Sequence, residues 1–598
     1  MFTWSNTELN EEQSAAILEN DSILLNSCPG SGKTRTLTYK IALELSKLKN
    51  QRKFVIAITY TNLAADEIKE RVELLGVDTS QLWIGTIHSF CLEWILKPYS
   101  LYHDDLKDGY TVTSIHKSEK ILKELCESYS NITIWDINYR ATTQGFEISC
   151  SDTRKNEGVR DIVNEYLYIL KENGEIDFEL ILYYAYQILI KERKISSILS
   201  NLFPFILLDE YQDTKEIQYH IICNILRAGR GSTKTFIVGD PNQSIYQTMG
   251  GFPMKKYDLD ELIGFSLNDS YSLKNNYRSS KKIIEYFENY KTYNNSINAK
   301  GINKDFNSIV TYNQLISHKD LEIEIERLLN ISIKEHQISP NEICIAAPQW
   351  VHLAMITRNL IARMPDQNFN GPGMTPFSKD IENFWYKISR IILTEPSPNL
   401  YLKRLRWSGE VLNELSNNQI DTSSISKKSF LRFTNGIDIK KTGGLEYLDE
   451  AFQNVSNYLG VEIGRNKFLS EHYEAFFSSS ESRIKRLQKE GLEYIGHIDT
   501  FRKVFKQKQG ITISTIHGVK GTEFDVVIGF GLLDSWIPHF TDANGDQNAQ
   551  KMLYVLTSRA KKHLHLISEK GRKISRYNPF GLTPTPHLIR NTHKYDII

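Results

Sequence analysis

The sequence predicts an α/β fold in which short buried strands alternate with helices. Three apolar runs carry this prediction, because each has the length of a strand and ends in a loop of small or polar residues. These runs are Ile23–Leu25, Phe54–Ile58 and Phe205–Leu208. A pattern with helical apolar spacing follows each of the first two. Ligands of open α/β sheets collect at the carboxyl ends of the strands, so the loops after these runs are the expected functional positions.

The composition is that of a soluble globular protein with several domains. Of the residues, 40% are hydrophobic and 24% are charged, as in soluble globular proteins. A chain of 598 residues is too long for a single hydrophobic core, so about three or four domains are expected. Neither a membrane-spanning apolar stretch nor a signal peptide is indicated. The six cysteines form no Cys-x-x-Cys pair, which argues against a zinc or iron–sulfur centre and favours a cytoplasmic location. The formal net charge is zero, so any nucleic-acid contact must come from local patches.

The stretch Ile23–Thr36 contains the strongest motif. An apolar run leads into the turn Pro-Gly-Ser-Gly, then into Lys33, Thr34 and a helical pattern, which is the arrangement of a P-loop. Backbone N–H groups of such a turn face phosphates. Lys33 would reach the β- and γ-phosphates, and the Thr34 hydroxyl would hold Mg²⁺. Ser27 stands where the strict motif has its first glycine, and a small residue is sterically tolerable there.

Two adjacent carboxylates follow the run Phe205–Leu208. In a P-loop protein this is where Mg²⁺ and the attacking water are held. We therefore expect Asp209 to bind Mg²⁺ and Glu210 to orient or deprotonate the water. An isolated Asp-Glu pair is more often a solvated turn, so this prediction depends on the strand before it and on the P-loop.

Aromatic and hydrogen-bonding residues after other predicted strands suggest contacts with a nucleic acid. Thr61 and Asn62 suit a phosphate backbone, and Tyr60 and Tyr246 offer flat faces for bases. Each of these positions has a purely structural alternative, such as the polar cap of a helix. Gln243 also follows a predicted strand, where it could sense the γ-phosphate of a nucleotide. An arginine such as Arg278 can stabilise the charge of a phosphoryl group during its transfer.

Taken in order, the motifs resemble those of the UvrD/Rep family of superfamily 1 helicases, from Gln13 to about Ile567. The matching stretches are SCPGSGKT, ITYTN, GTIHSF, LLDEYQD, VGDPNQSIY, NNYRSS, TIHGVKGTEF and YVLTSRA. The resemblance implies an α/β protein with two RecA-like P-loop lobes, which are parallel sheets with helices on both faces. Each lobe would carry a mostly helical inserted subdomain, and ATP with Mg²⁺ would bind between the lobes.

The resemblance also implies roles for individual residues. Nucleotide binding would fall to Gln13, Pro29, Gly30, Ser31, Gly32, Lys33, Thr34, Arg35, Tyr277, Gly521 and Glu523. Within this group Gln13 would read the adenine edge, Arg35 and Tyr277 would flank the adenine, and Glu523 would bind the ribose. The catalytic residues would be Lys33, Glu210, Gln243, Arg278 and Arg559, and the metal would be held by Thr34 and Asp209. DNA would be bound by Tyr60, Thr61, Asn62, Thr86, His88, Tyr246, Thr515 and His517.

The same resemblance divides the chain. The first lobe would comprise 1–90 and 206–272, with an insertion at 91–205. The second lobe would comprise 273–379 and 505–575, with an insertion at 380–504, and 576–598 would form a tail.

The activity that the resemblance implies is ATP-dependent 3′→5′ movement on single-stranded DNA, with single-stranded or tailed duplex DNA as the partner. Thr248 and Met249 stand where the family usually has Trp and Arg, and the second insertion is small. These departures leave a second hypothesis open: a nucleic-acid-sensing ATPase subunit that regulates a partner nuclease, as in anti-phage systems of the Gabija type. An RNA helicase of the same superfamily is a third hypothesis.

Overall fold

The computed structural model describes residues 2–150, 152–372, 375–380, 382–489, 492–506, 509–539, 542, 544–572 and 581–598. Two compact units are present. The first comprises Met1–Thr111, Asn131–Asn368 and Gly510–Ile598, and the second comprises Val112–Ser130 and Phe369–Gln509. The part of the predicted tail up to residue 580 lies outside the described residues. The division into lobes, insertions and tail stays a prediction.

The first sheet of unit one confirms the strands predicted from the apolar runs. Its strands are parallel neighbours in the order Ser272–Leu273, Ile23–Ser27, Lys234–Gly239, Phe205–Asp209, Val55–Thr59 and Leu82–Thr86. The helices of this lobe are Glu11–Leu18, Lys33–Lys47, Asn62–Leu74, Glu216–Ala228 and Lys256–Ile263. Because the strands are parallel, their carboxyl ends bring the P-loop, the Asp-Glu pair and the loop with Gln243 to one edge of the sheet.

The second sheet of unit one is also parallel. Its neighbouring strands include Val310–Asn313, Ala560–Ile567, Phe524–Gly529, Ile343–Ala347 and Ile511–Thr515, in that order. The helices Lys281–Phe287, Leu321–Asn330, Val351–Arg363, Gly545–Thr557 and Pro586–Ile589 belong to this part of the chain. The two sheets and their helices confirm the predicted α/β class, and we refer to the two parts as the first and the second lobe.

The segment between the third strand and residue 205 is mostly helical, as predicted. Within unit one it contains the helices Ile87–Phe90, Lys97–Tyr99, Asn156–Glu172, Phe178–Lys191 and Arg193–Leu202, with a π-helical stretch at Cys91–Leu96. It also contains an antiparallel hairpin, Asn138–Thr142 with Gly145–Ser149, which the sequence patterns did not indicate. Short strands lie at Thr111–Val112 and Glu175–Ile176 in this segment, and at Asn275–Asn276 and Asn298–Ala299 later in the chain.

The second unit is helical, in agreement with the prediction for 380–504. Its helices are Ile115–Cys126, Phe384–Leu393, Tyr401–Asn417, Lys427–Asn435, Gly444–Leu459, Lys467–Lys489 and Ile498–Lys503, and a short strand lies at Phe369–Asn370. Its core is rich in aromatic rings. Trp385 is fully buried, its indole N–H donates to the Leu469 carbonyl at 2.9 Å, and its ring lies 4.7 Å from that of Phe452.

Each lobe of unit one has its own apolar core between its sheet and helices. Among the described residues, no helix combines the length and the apolar character that crossing a membrane requires.

We expect Trp385→Ala to lower the stability of the second unit by about 3–5 kcal/mol, because it leaves a large cavity and removes the hydrogen bond to the Leu469 carbonyl. The matched control is Trp135→Ala. Trp135 is 93% exposed, so this substitution should change stability by about 0.5 kcal/mol or less. Thermal unfolding followed by near-ultraviolet circular dichroism measures both changes. Equal effects of the two variants would contradict the burial assigned to Trp385.

Candidate functional site

The phosphate-sized loop is built from backbone that only glycine adopts readily. Gly30 and Gly32 have φ of +68° and +79°, and Gly32 caps the helix Lys33–Lys47 without any side-chain hydrogen bond. A Cβ atom on Gly30 would lie 2.6 Å from Cβ of Arg278, and one on Gly32 would lie 2.5 Å from Nε2 of Gln13. The first turn of the helix therefore presents backbone N–H groups that no side chain satisfies, as anion-binding loops do.

The loop is held against the segment that carries Arg278. The side-chain amide of Asn276 donates to the Pro29 carbonyl at 2.6 Å, and the Tyr277 N–H donates to the Gly30 carbonyl at 2.8 Å. Asn276 is fully buried. The position of Arg278 is thus fixed relative to the loop by two hydrogen bonds.

Two of the three residues predicted to contact the adenine lie beside the loop. Gln13 is buried and donates to the Ser31 carbonyl at 2.9 Å, and its carbonyl accepts from the Asn10 N–H at 3.1 Å. The Asn10 amide donates to the Tyr277 hydroxyl at 2.6 Å. The structure therefore uses Gln13 as part of a helix cap, and Asn10, which the sequence patterns did not indicate, links it to Tyr277.

Arg35, the third predicted adenine contact, is exposed on the first turn of the helix Lys33–Lys47. Tyr277 keeps 40% of its surface exposed. Both side chains therefore present surface at which a planar base can stack.

Lys33 forms ion pairs with both predicted carboxylates. Its Nζ lies 3.0 Å from Oδ1 of Asp209 and contacts Glu210. Burial alone would lower the pKa of Lys33, but the two carboxylates outweigh it and hold that pKa above its usual value. Burial opposes the charge of Glu210 as well, yet Lys33 and Lys520 bring the pKa of Glu210 down to about 2. The site thus contains an ionised carboxylate beside a cation, both half-buried.

The backbone of Glu210 is left-handed, with φ of +53°, which is strained for a residue with a side chain. Its N–H donates to Oδ1 of Asp209 at 2.9 Å, and its carboxylate accepts from the Gln212 amide at 2.5 Å. These bonds fix the direction of the Glu210 side chain.

The two predicted arginine fingers come from the sequence after the first lobe and face this site. Arg559 is buried and donates to Oε1 of Gln243 at 2.7 Å, and burial together with Arg278 lowers its pKa to about 9. Arg278 donates to Glu523 at 2.7 Å and to the Ser558 carbonyl at 3.0 Å. Gln243 also donates to the buried Asp240 at 2.8 Å. The structure therefore brings the predicted sensor and both arginines into one hydrogen-bonded group.

A second group was missed by the sequence analysis. Lys520 pairs with the buried Asp213, and its Nζ donates to the Gln243 carbonyl at 2.7 Å. Burial raises the pKa of Asp213 to about 6 even though Lys520 opposes this. The same Nζ lies 5.1 Å from the centre of the Tyr246 ring, within range of a cation–π contact. Lys520 and Gly521 belong to one loop, in which Gly521 has φ of +84°.

The aromatic residues predicted to face DNA form a stack. The rings of Tyr60 and Tyr246 lie 4.9 Å apart at 28°, and Tyr60 is 40% exposed. His517 lies 5.5 Å from Tyr246, and its Nε2 is 3.2 Å from the Ile245 carbonyl. Thr515 accepts from the Gly518 N–H at 3.0 Å. Tyr60, Tyr246 and His517 are thus brought together from three distant stretches of sequence.

Other residues predicted to contact DNA also have structural uses. Thr61 and Thr86 cap helices by accepting from the Ala64 and Ser89 N–H groups at 3.2 and 3.3 Å. Asn62 begins the helix that Thr61 caps. The His88 ring lies 5.5 Å from that of Phe178, and burial, with Lys215, lowers its pKa to about 4, so His88 is neutral at pH 7.

A cavity of about 300 Å³ joins the two sets of predicted residues. Its walls include Asp209, Glu210, Asp213, Tyr60, Tyr246, Thr86 and His88. The carboxylates of the predicted hydrolytic site and the aromatic pair of the predicted DNA site therefore border one space.

The site fits a Mg²⁺-bound nucleoside triphosphate. The Ser31 hydroxyl is buried within the loop without a hydrogen-bond partner, and Gly30 and Gly32 keep the loop free of side chains. In the described part of the chain no cluster of three or more His, Cys, Asp or Glu side chains is placed to hold a metal ion. A donor set limited to Thr34 and Asp209 suits Mg²⁺, which takes its other ligands from phosphates and water.

Comparison with protein-family models matches two parts of the chain. Residues 9–253 match the UvrD/REP helicase N-terminal domain, and residues 471–571 match the UvrD-like helicase C-terminal domain. The first match contains the P-loop and the Asp-Glu pair, and the second contains the loop with Lys520 and the helix before Arg559.

Curated proteins with similar sequences are named as DNA helicases. The ATP-dependent DNA helicase PcrA of Bacillus subtilis is 24% identical over 95% of this chain and 83% of its own length. The "Probable DNA helicase II homolog" of Mycoplasma capricolum is 29% identical over 46% of this chain, and PcrA of Staphylococcus aureus strain Mu50 is 26% identical over 46%. The last two matches span 40% and 39% of those proteins. The chain therefore belongs to the UvrD/Rep family of superfamily 1 helicases, a family of ATP-dependent DNA helicases.

Proposed function

We propose that this chain hydrolyses ATP to move 3′→5′ along single-stranded DNA and so unwinds duplex DNA. The observation that carries the proposal is an unbroken series of contacts from Glu210 through Gln212, Asp213 and Lys520 to Tyr246. This series joins a hydrolytic site to an aromatic stack of the kind that binds unpaired bases. The 3′→5′ direction rests on the resemblance to the family.

In this proposal the P-loop residues bind the nucleotide. Backbone N–H groups of 30–34 and the Lys33 ammonium hold the phosphates, and Thr34 and Asp209 hold Mg²⁺. When bound, Mg²⁺ would neutralise charge on the phosphates and polarise the terminal phosphoryl group. Lys33 turns from the carboxylates to the phosphates and so exchanges one anionic partner for another.

Glu210 is the general base. Although burial opposes its charge, Lys520 still lowers the pKa of Glu210 after Lys33 has turned to the phosphates, and the hydrogen bond from Gln212 fixes the carboxylate. Glu210 accepts a proton from the attacking water, while Arg278 and Arg559 place positive charge beside the terminal phosphoryl group. Gln243, which contacts Arg559 and Asp240, aligns the water or the γ-phosphate.

Tyr60 and Tyr246 bind single-stranded DNA by stacking on bases, which contributes about 1–3 kcal/mol per base. Lys520 connects this grip to hydrolysis because one ammonium group contacts Asp213, the Gln243 carbonyl and the Tyr246 ring. A DNA base that displaces either tyrosine changes the contacts of the Lys520 ammonium group. The position of this positive charge relative to Glu210 then changes as well. Nucleotide-driven opening and closing of the lobes then moves the strand.

We expect Glu210→Gln to lower kcat for ATP hydrolysis by about 10²–10⁴-fold, the usual contribution of a general base. ATP affinity should change little, because a glutamine side chain has nearly the same size as the glutamate it replaces. A phosphate-release assay with saturating single-stranded DNA measures kcat, and Glu481→Gln, at an exposed carboxylate of the second unit, is the control. Wild-type turnover in Glu210→Gln would exclude the assignment.

Lys520→Gln should move the acid limb of the kcat–pH profile toward neutral pH. Lys520 is one of the cations that lower the pKa of Glu210, so its removal raises that pKa, and the base becomes protonated at a higher pH than in the wild type. Lys520→Arg retains the charge and should restore the wild-type profile. Identical profiles of the wild type and Lys520→Gln would show that Lys520 does not act on Glu210.

The proposed direction is tested by strand displacement from 3′-tailed and 5′-tailed duplexes. We expect displacement from the 3′-tailed substrate. Displacement from the 5′-tailed substrate alone would reverse the proposed direction.

Tyr246→Ala should weaken single-stranded DNA binding by about 5–150-fold, which corresponds to one lost stack.

A second candidate function, the nucleic-acid-sensing subunit that regulates a nuclease, is favoured by the turn Gln247–Met249, which has no aromatic side chain to grip a base. For this function, DNA would stimulate ATP hydrolysis without strand displacement from either substrate. Robust displacement by the isolated chain would exclude it.

A further inference from the structure

The hairpin of the insertion lies against the turn that follows Tyr246. Gly250 ends the short helix Gln247–Met249 and has φ of +89°. A Cβ atom built on Gly250 would lie 2.8 Å from Nη1 and 3.3 Å from Cδ of Arg140. The guanidinium of Arg140 therefore packs on the backbone of this turn, and Gly250 is needed to admit it.

Further contacts fix the hairpin to the first lobe. The Ala141 N–H donates to Oε2 of Glu179 at 2.8 Å, and Lys215 donates to Oε1 of the same carboxylate at 2.6 Å. Lys215 in turn pairs with Gly251 through an antiparallel backbone bridge. The hairpin, the turn and the segment after the Asp-Glu pair thus form one connected framework.

Arg140 is available to an anion. Its side chain is 35% exposed, and that of its partner Glu147, 2.5 Å away, is 50% exposed. Ion pairs at such exposed positions contribute little to stability. A DNA phosphate can therefore replace Glu147 at small cost, and the fork of the guanidinium suits a phosphate.

A fully exposed indole precedes the hairpin. Trp135 is 93% exposed and lies in the short helix Ile134–Asp136. Asp136 fixes this helix by accepting from the Thr133 N–H at 2.8 Å and from Lys155 at 2.8 Å. The ring is thus presented on a pre-ordered turn, and little further order is lost when a flat ligand binds.

We propose that single-stranded DNA leaving the Tyr60–Tyr246 stack continues over the turn Gln247–Met249 onto this hairpin, where Arg140 contacts a phosphate and Trp135 stacks on a base. The inference rests on the proposed function. Its support is the contact between the hairpin and the turn after Tyr246. The hairpin region also supplies a cation, Arg140, and an exposed aromatic face, Trp135, and proteins bind single strands with groups of these two kinds.

The test measures the affinity of the full chain for oligothymidylates of about 8 and about 20 nucleotides, one length within and one beyond the usual site sizes for single strands. Fluorescence anisotropy at several salt concentrations gives Kd and its salt dependence. Trp135→Ala should weaken binding of the long oligonucleotide about 5–150-fold and leave the short one unaffected. Arg140→Gln should reduce the salt slope for the long oligonucleotide by about 0.7, the value for one phosphate contact with a single strand.

Tyr494→Ala and Arg71→Gln are matched controls, because Tyr494 is an exposed aromatic residue of the second unit and Arg71 is an exposed arginine paired with Glu67. Wild-type binding of both oligonucleotides by Trp135→Ala and Arg140→Gln would overturn the hairpin site and leave the indole as a surface for a protein partner. If the wild type binds neither length, the proposed function fails as well. These two failures are therefore distinguishable.

Discussion

The ion pairs of Lys33 with Asp209 and Glu210 are the interaction on which the rest of the site depends. They join the loop after the strand Ile23–Ser27 to the loop after the strand Phe205–Asp209, and the strand Lys234–Gly239 lies between these two in the sheet. A half-buried cation such as Lys33, whose side chain is 15% exposed, is stabilised by adjacent anions. In the proposed function, the phosphates of the nucleotide replace these carboxylates as the anionic partners of Lys33.

Polar contacts connect the first lobe to the segments that follow it, and Ile245 of the first lobe packs in the apolar core of the second. Arg559 bonds Gln243, Lys520 bonds Asp213, and the buried amide of Asn242 accepts from the Thr292 and Tyr293 N–H groups at 2.8 and 2.7 Å. Such bonds are directional and can be exchanged for bonds to a ligand at similar energy. This arrangement is suited to lobes whose contacts change through a nucleotide cycle.

The insertion hairpin gives the first lobe a feature that the motifs do not encode. Thr248 and Met249 leave the turn after Tyr246 without a large aromatic ring, and Arg140 packs on the backbone of that turn. In the proposed function, the surface for a single strand is shared between the sheet edge and the insertion. The hydrogen bonds of Glu179 then connect the hairpin to Lys215 of the first lobe.

The sequence by itself determined the parts of this protein that are local. The apolar runs specify the strands. The order Gly-Lys-Thr and the pair Asp209-Glu210 predict the candidate nucleotide site, because one loop or one strand end supplies each. Parallel topology then brings these loops to one sheet edge, so the adjacency of Lys33 and Asp209 was predictable. The helical character of 380–504 was predictable as well, since amphipathic helices have a clear period.

Only the tertiary structure decided which distant polar side chains meet. Asn10, Gln212, Asp213, Asn276 and Lys520 hold the predicted residues in place, but a single polar residue has no periodicity, and its partner can be hundreds of residues away. The hairpin Asn138–Ser149 was missed for a related reason, since its burial depends on contacts with other elements. The sequence predicted most groups of the candidate site, and packing decided which of them touch.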